Sequence, residues 1–349
     1  MPRTDAGPRF DGRDWAVLIL GVAVTGAVYL NALANGFVGL DDDVYITANP
    51  LLAELSLRNL GTMVLRPYAE FYHPVTLFSL ALDRWIWDFD PFGYHLTDFL
   101  LHLLNTALVF WVGRRIVFEG ARGSRSPVLW ARTAGLIAAL LFGLHPLHVE
   151  SVAWAAQRKD LLCSLFYLLA FGFYVKHVTG DGGRPNRKWY RLSLVAFLLS
   201  LLSKSMAVTL PLALLLIDYY PLRRLKRWPG RGMPPEERAV WKEKLPFFGL
   251  ALAFALATIA AQRMGGALRT GGEIPWSLRP WFVIYSYAFY LWKMVWPFDL
   301  TLLYPIADVR PIHPMIWTCL GGLVALALAA FLLRRRWPAF TAAFVYYIV

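Results

Sequence analysis

The 349-residue chain lacks the marks of several large protein classes. It has only two cysteines, Cys163 and Cys319, both inside long apolar stretches, so no disulfide framework is implied. No glycine-rich phosphate loop follows a strand-like run, which excludes the usual soluble nucleotide site. No histidine pair takes the HExxH form, and nothing repeats at a period of about 20 to 50 residues, so a repeat array is excluded within this stretch. Acid is also scarce: 23 Asp and Glu stand against 35 Lys and Arg, a formal net charge of +12. A surplus of that size can mark a nucleic-acid binder. Here the basic residues sit in short connections between apolar blocks, with no soluble domain to present them, so they read as topology signals and nucleic acid is not an expected partner.

Apolar residues are what the chain has in abundance. They make up 58% of it, aromatics 15%, and the mean hydropathy is +0.47. They are grouped in blocks near the ~20 residues a bilayer-crossing helix needs. The fold class is therefore an all-α polytopic membrane protein. The first block, 15–33, follows Arg3, Arg9 and Arg13 and lacks a small-residue cleavage site. It reads as a retained first helix with the N-terminus in the cytoplasm.

A first outer loop, about 36–93, should hold two amphipathic pieces. A short helix over 56–65 would take Ser56 as its cap, and a second over 74–88 would start at a proline. The second spans about 22 Å at 1.5 Å per residue, short of a ~30 Å hydrocarbon core, so it should lie along the interface. Spans over 94–111 and 133–144 lead to a second outer loop at 145–160, and 161–175 returns. The block 192–219 is too long for one span and is broken by Ser203, Lys204 and Ser205, which predicts a hairpin of two short helices turning at the outer surface. A basic inner loop over 223–244 precedes a span at 245–262. In a third outer loop, 263–313, the stretch 278–296 reads as a re-entrant or interfacial helix, because a full crossing would put Arg334, Arg335 and Arg336 outside. A span at 315–333 follows. The last block, from 337, is expected to stop inside a helix, as a piece of a longer chain would. In this layout most basic residues fall inside and most acids outside.

The unusual polar groups collect on the outer side. Asp41, Asp42 and Asp43 follow the first span directly. His95, Asp98, His102 and Asn105 recur at helical spacing on one face, which suits either a watery cavity or ordinary bonds between helices. The second loop carries His145, His148, Glu150, Arg158, Lys159 and Asp160. Its two histidines and glutamate could ligate a divalent metal such as Mg or Mn, or coordinate nothing. Lys204 sits near the outer edge of the bilayer, where it either snorkels to water or meets a lipid phosphate. Carboxylates with cationic phosphate binders suit transfer of a group from a membrane-borne phosphate donor to a hydroxyl. The alternatives are a carrier of lipid-linked sugars, or a membrane anchor without activity.

Several motifs carry a family likeness. Phe37-Val38 before Asp41-Asp42, with Tyr45-Ile46 and Asn49-Pro50 behind, resembles the first-loop motif of the transmembrane and TPR-repeat-containing O-mannosyltransferases and their bacterial relatives. So do His73-Pro74-Val75-Thr76, the run Pro91 to Leu96, the stretch His145 to Ala153 continuing into Gln157 to Leu162, and Ser203-Lys204 ahead of Val208 to Pro211. The resemblance implies a single GT-C-class transmembrane domain with two interfacial helices in its first outer loop, lacking the TPR part. It implies inverting transfer from a polyprenyl-phosphate sugar to a protein or glycan hydroxyl on the extracytoplasmic side. On this reading Asp42 is the general base and Asp41 orients it or binds a metal. Arg158 and Lys204 hold the donor phosphate with help from Lys159, while Asp43, His95, Asp98, His102 and Asp160 support the site and His145, His148 and Glu150 shape it or bind an ion. The Arg- and Ala-rich composition points to a bacterial inner membrane and an undecaprenyl-type donor.

Overall fold

The computed structural model describes residues 10–69, 71–180, 185–226, 232–266, 275–301, 304 and 313–348. Arg3 and Arg9, used above to orient the chain, lie outside them, as do 267–274, 302–303 and 305–312 of the third loop. The named elements among the described residues are all helices, with one isolated bridge between Tyr68 and Phe71. The chain is an all-α polytopic membrane protein. Among the described residues six helical stretches are long and apolar enough to cross a bilayer: Gly12–Ala34, Pro91–Ala121, Pro127–Leu144, Ala155–Thr179, Pro235–Gly265 and Pro314–Leu333. The chain divides into two compact units, Met1–Gly265 and Gly266–Val349.

In the first unit, α1 (Gly12–Tyr29) opens on a reciprocal cap. The Asp11 carboxylate accepts from the Asp14 amide and Asp14 accepts from the Asp11 amide. A 3₁₀ turn, Leu30–Ala34, carries the chain into the first long loop. There α2 (Leu57–Leu65) starts at Ser56, whose hydroxyl accepts from the Asn59 amide, and α3 (Pro74–Trp87) starts at its proline, both as the sequence predicts. Trp85 and Ile86 on α3 are exposed, as suits an interfacial helix.

The next helix, α4 (Pro91–Ala121), overruns its predicted end by a further turn or more, because Arg114 and Arg115 do not stop it. Arg114 is buried against Asp14 of α1 at 2.7 Å, and Arg132 of α5 (Pro127–Leu144) reaches the same carboxylate at 2.9 Å. These arginines do more than mark a side: they tie three helices at one end. Toward the other end small residues let the same helices close. A Cβ on Gly143 would sit 2.3 Å from the Thr25 hydroxyl and 3.1 Å from Thr106.

A short α6 (Val149–Ala153) leads to α7 (Arg158–Thr179). Next, α8 (Arg187–Ser203) and α9 (Leu210–Tyr219) form the predicted hairpin, broken at Lys204 by an extended residue and a 3₁₀ turn, Ser205–Thr209. The predicted basic loop over 223–244 is corrected. Its second half is the start of α10 (Pro235–Gly265), with Glu236 and Glu237 in the first turn, where acids offset the helix dipole. Lys244 does not need water because it is fully buried 2.5 Å from Asp218 of α9. A core of Tyr174, Phe197, Leu201, Leu210, Leu214 and Phe247 joins α7 to α10.

The second unit holds α11 (Arg279–Val295), α12 (Pro314–Leu333) and α13 (Pro338–Ile348). Trp281 stacks edge-on to Trp317 at 5.5 Å, and Tyr287 donates to the Ile348 carbonyl at 3.0 Å. At 17 residues, α11 is shorter than the six candidate spans. Both cysteines are free.

Candidate functional site

The first two loops that the sequence reading places outside, 36–93 and 145–160, share one apolar cluster. Tyr45, Ile46, Leu52, Met63, Leu77, Leu80 and Tyr94 pack with Ala155 and Ala156 of the second loop. Phe37 meets Tyr94 edge-on at 5.2 Å, and a turn of π-helix, Asp43–Thr47, follows the acidic run. Asn49 fixes the far end of that turn, donating to the Tyr45 carbonyl at 3.0 Å and accepting from the Leu51 amide at 3.0 Å.

The three aspartates have three different environments. Asp42 is fully buried, and its two oxygens accept from the Val38 and Ala156 amides, each at 2.8 Å. Burial pushes its pKa above the usual carboxylate range, and the two amide donors oppose that shift. It is a joint between the loops. Asp43 is exposed and accepts from the Val44 amide at 2.8 Å. Asp41 is the acid that faces outward into a charged group: its side chain is 48% exposed and lies 3.7 Å from the Lys159 ammonium.

The neighbouring residue extends the group. Asp160, next to Lys159 at the start of α7, pairs with Lys204 from the α8–α9 break, and both side chains are partly open to solvent. Lys159 also lies over the Tyr45 ring, 5.0 Å from its centre. The other flank of Tyr45 is His73, at a ring distance of 5.3 Å. His73 is buried at the start of α3, and its Nε2 has no hydrogen-bond partner among the described residues. Burial, with Lys159 and Lys204 nearby, lowers its pKa to about 3, so the imidazole is neutral at physiological pH. Thr76, one turn on, donates to the Ser203 carbonyl at 3.0 Å and holds α3 against the Lys204 break. The acids after the first helix and the lysines of later turns therefore meet in one cluster: Asp41, Tyr45, His73, Lys159, Asp160 and Lys204. Tyr45 and His73 join this group only in the fold, although both lie in the loop motifs Tyr45-Ile46 and His73-Pro74-Val75-Thr76.

Other predicted members go elsewhere. Arg158 is fully buried, paired with Asp83 of α3 and, at 2.7 Å, with Asp98 of α4, and it donates to the Tyr94 carbonyl at 2.8 Å. Its guanidinium is enclosed by these partners. The stripe on α4 bonds neighbouring backbone: His95 lies 3.4 Å from the Gly36 carbonyl of the first loop, His102 bonds the Gly143 carbonyl of α5 at 3.0 Å, and Asn105 donates to the Leu161 carbonyl of α7 at 2.9 Å. The suggested metal set does not converge. His145 Nδ1 accepts from the Leu147 amide at 3.2 Å, His148 Nδ1 bonds the Phe142 carbonyl at 2.8 Å, and Glu150 accepts from Gln157 at 3.0 Å. Among the described residues no three His, Cys, Asp or Glu side chains are placed to share an ion.

Fold and cluster together define a helical membrane protein with acid–lysine pairs gathered where the loop after α1 meets the start of α7 and the α8–α9 break. In sequence it is similar to protein O-mannosyl-transferases, as its loop motifs suggest. TMTC4 of Homo sapiens is 28% identical over 212 residues, which is 56% of this chain and 28% of that protein. Tmtc3 of Drosophila melanogaster is 31% identical over 167 residues, 44% and 18% of the two chains, and TMTC2 of Homo sapiens is 29% identical over 208 residues, 57% and 23%. The chain spans about a quarter of the length of these relatives. No family model and no solved structure matches it.

Proposed function

We propose that this chain carries the donor-handling and catalytic part of a membrane glycosyltransferase of the GT-C class. The reaction moves a sugar from a polyprenyl phosphate to a hydroxyl of a protein or glycan, on the extracytoplasmic side of a bacterial inner membrane. The observation that carries the reading is the half-exposed Asp41 carboxylate beside Lys159, next to the Asp160–Lys204 pair. Mannose is the sugar in the relatives' names, and it is the sugar proposed here.

The roles follow from exposure and charge. Asp41, not Asp42, accepts the proton of the acceptor hydroxyl, because both Asp42 oxygens are taken by backbone donors whereas Asp41 is half exposed beside Lys159. The hydroxyl oxygen bonds to the anomeric carbon on the face opposite the phosphate, the carbon–oxygen bond to phosphate breaks, and its electron pair leaves with the phosphate. Lys204 and Lys159 offset that charge. Asp160 holds Lys204 in place before the donor arrives, and neutral His73 offers a hydrogen bond without adding charge. The metal called for by one sequence reading has no converging ligand set, so no step passes through it.

The test is to incubate membranes containing the full chain with labelled polyprenyl-phosphate mannose. Label on protein or glycan is the expected result. Label crossing the bilayer without transfer would identify a carrier, and neither outcome would leave a non-catalytic anchor; both contradict the proposal.

A further inference from the structure

The opposite end of the first unit holds a second charged site. Thr179 ends α7, about 30 Å from Lys159 in its first turn at 1.5 Å per residue. A cavity of about 610 Å³ lies there, lined among others by Glu119, Arg122, Thr179, Arg223, Arg224 and Lys226. It sits at the end that carries the arginine- and lysine-rich connections.

Its charges do not cancel. Glu119 is held by Arg122 at 2.8 Å and by Arg115 at 3.7 Å. Arg224 is committed to Asp218 at 3.0 Å and Glu243 at 2.9 Å. Arg223 and Lys226 remain, both exposed; their side chains have no ion-pair partner among the described residues, and Glu237 accepts from the Lys226 backbone amide, at 3.4 Å. The backbone holds them at the cavity. Leu222, Arg224 and Leu225 donate to the carbonyls of Ile217 and Asp218 at 2.7 to 3.2 Å, closing a turn in which Arg223 takes a φ of +52°. That left-handed conformation is unfavourable for a residue with a side chain and persists only where its surroundings impose it.

We propose that this cavity binds a phosphate-bearing anion through Arg223 and Lys226, either the headgroup of an anionic phospholipid or a free phosphate. An arginine fork matches phosphate oxygens in geometry as well as charge, and basic pockets between spanning helices on the cytoplasmic side suit anionic headgroups. The site is about a helix length from the Asp41 cluster and does not depend on the transferase reading.

The experiment is native mass spectrometry of the purified full chain, titrated with phosphatidylglycerol, phosphatidylcholine and inorganic phosphate. Phosphatidylglycerol should bind more tightly than phosphatidylcholine. The double variant Arg223→Gln, Lys226→Gln should weaken that binding about thirtyfold, from roughly fivefold per basic group near a membrane surface. Arg187→Gln with Lys188→Gln makes the same charge change at the same end, away from the cavity, and should leave binding unchanged. Competition by inorganic phosphate would assign the site to a free anion, and its failure to compete would assign it to the lipid; either supports the proposal. Equal binding of the two lipids with no phosphate bound, or a double variant that loses no more than the control pair, overturns it. Both residues are exposed and unpaired, so an unchanged thermal unfolding profile accompanies the expected result.

Discussion

Asp41→Asn is expected to cut transfer from labelled polyprenyl-phosphate mannose by roughly a hundredfold to ten-thousandfold, the range for loss of a general base, with a normal yield of folded protein. The side chain is half exposed and its one close partner is Lys159, so amide for carboxylate leaves the packing intact. Asp42→Asn is the informative comparison. Both Asp42 oxygens accept backbone N–H groups, so an amide nitrogen there would face a donor with a donor and loosen the joint between the outer loops. It should lower the yield of folded protein as well as transfer. Full activity in Asp41→Asn, with loss confined to Asp42→Asn in well-folded protein, would return the base to Asp42.

Arg158→Met is expected to destabilise the protein by about 3–5 kcal/mol, the usual cost of removing one partner from a buried ion pair. Asp83 and Asp98 come from two different helices and both converge on this one guanidinium. Thermal unfolding in detergent measures the loss, and adding Asp98→Asn should recover part of it by removing a stranded carboxylate. An Arg158→Met protein of unchanged stability that has lost donor binding would contradict this, and would restore Arg158 as a phosphate ligand.

Those two residues show how far the sequence could be read. Local features were legible: Ser56 caps its helix because a hydroxyl precedes a helical run, and the polar triplet at Ser203 to Ser205 breaks an apolar block where a membrane helix cannot hide it. Long-range commitments were not. Arg158 reads as a free cation in its loop because its partner Asp98 lies 60 positions back on another helix. Asp41 and Asp42 are indistinguishable neighbours until the Ala156 amide, 114 positions on, claims one of them. The same applies to Lys244, which reads as a loop cation and is a buried partner of Asp218. His145, His148 and Glu150 stand close in sequence, yet each bonds a different group of its own loop, so spacing alone could not decide a metal site.

The central claim is that one outer cluster of the first unit receives the donor phosphate. A structure of the full chain with a bound polyprenyl-phosphate sugar tests it most directly. The phosphate oxygens should lie within hydrogen-bond distance of the Lys204 and Lys159 ammonium groups, with Asp41 facing the anomeric carbon from the other side. A phosphate bound away from both lysines, with Asp160 and Lys204 still paired to each other, would contradict the account.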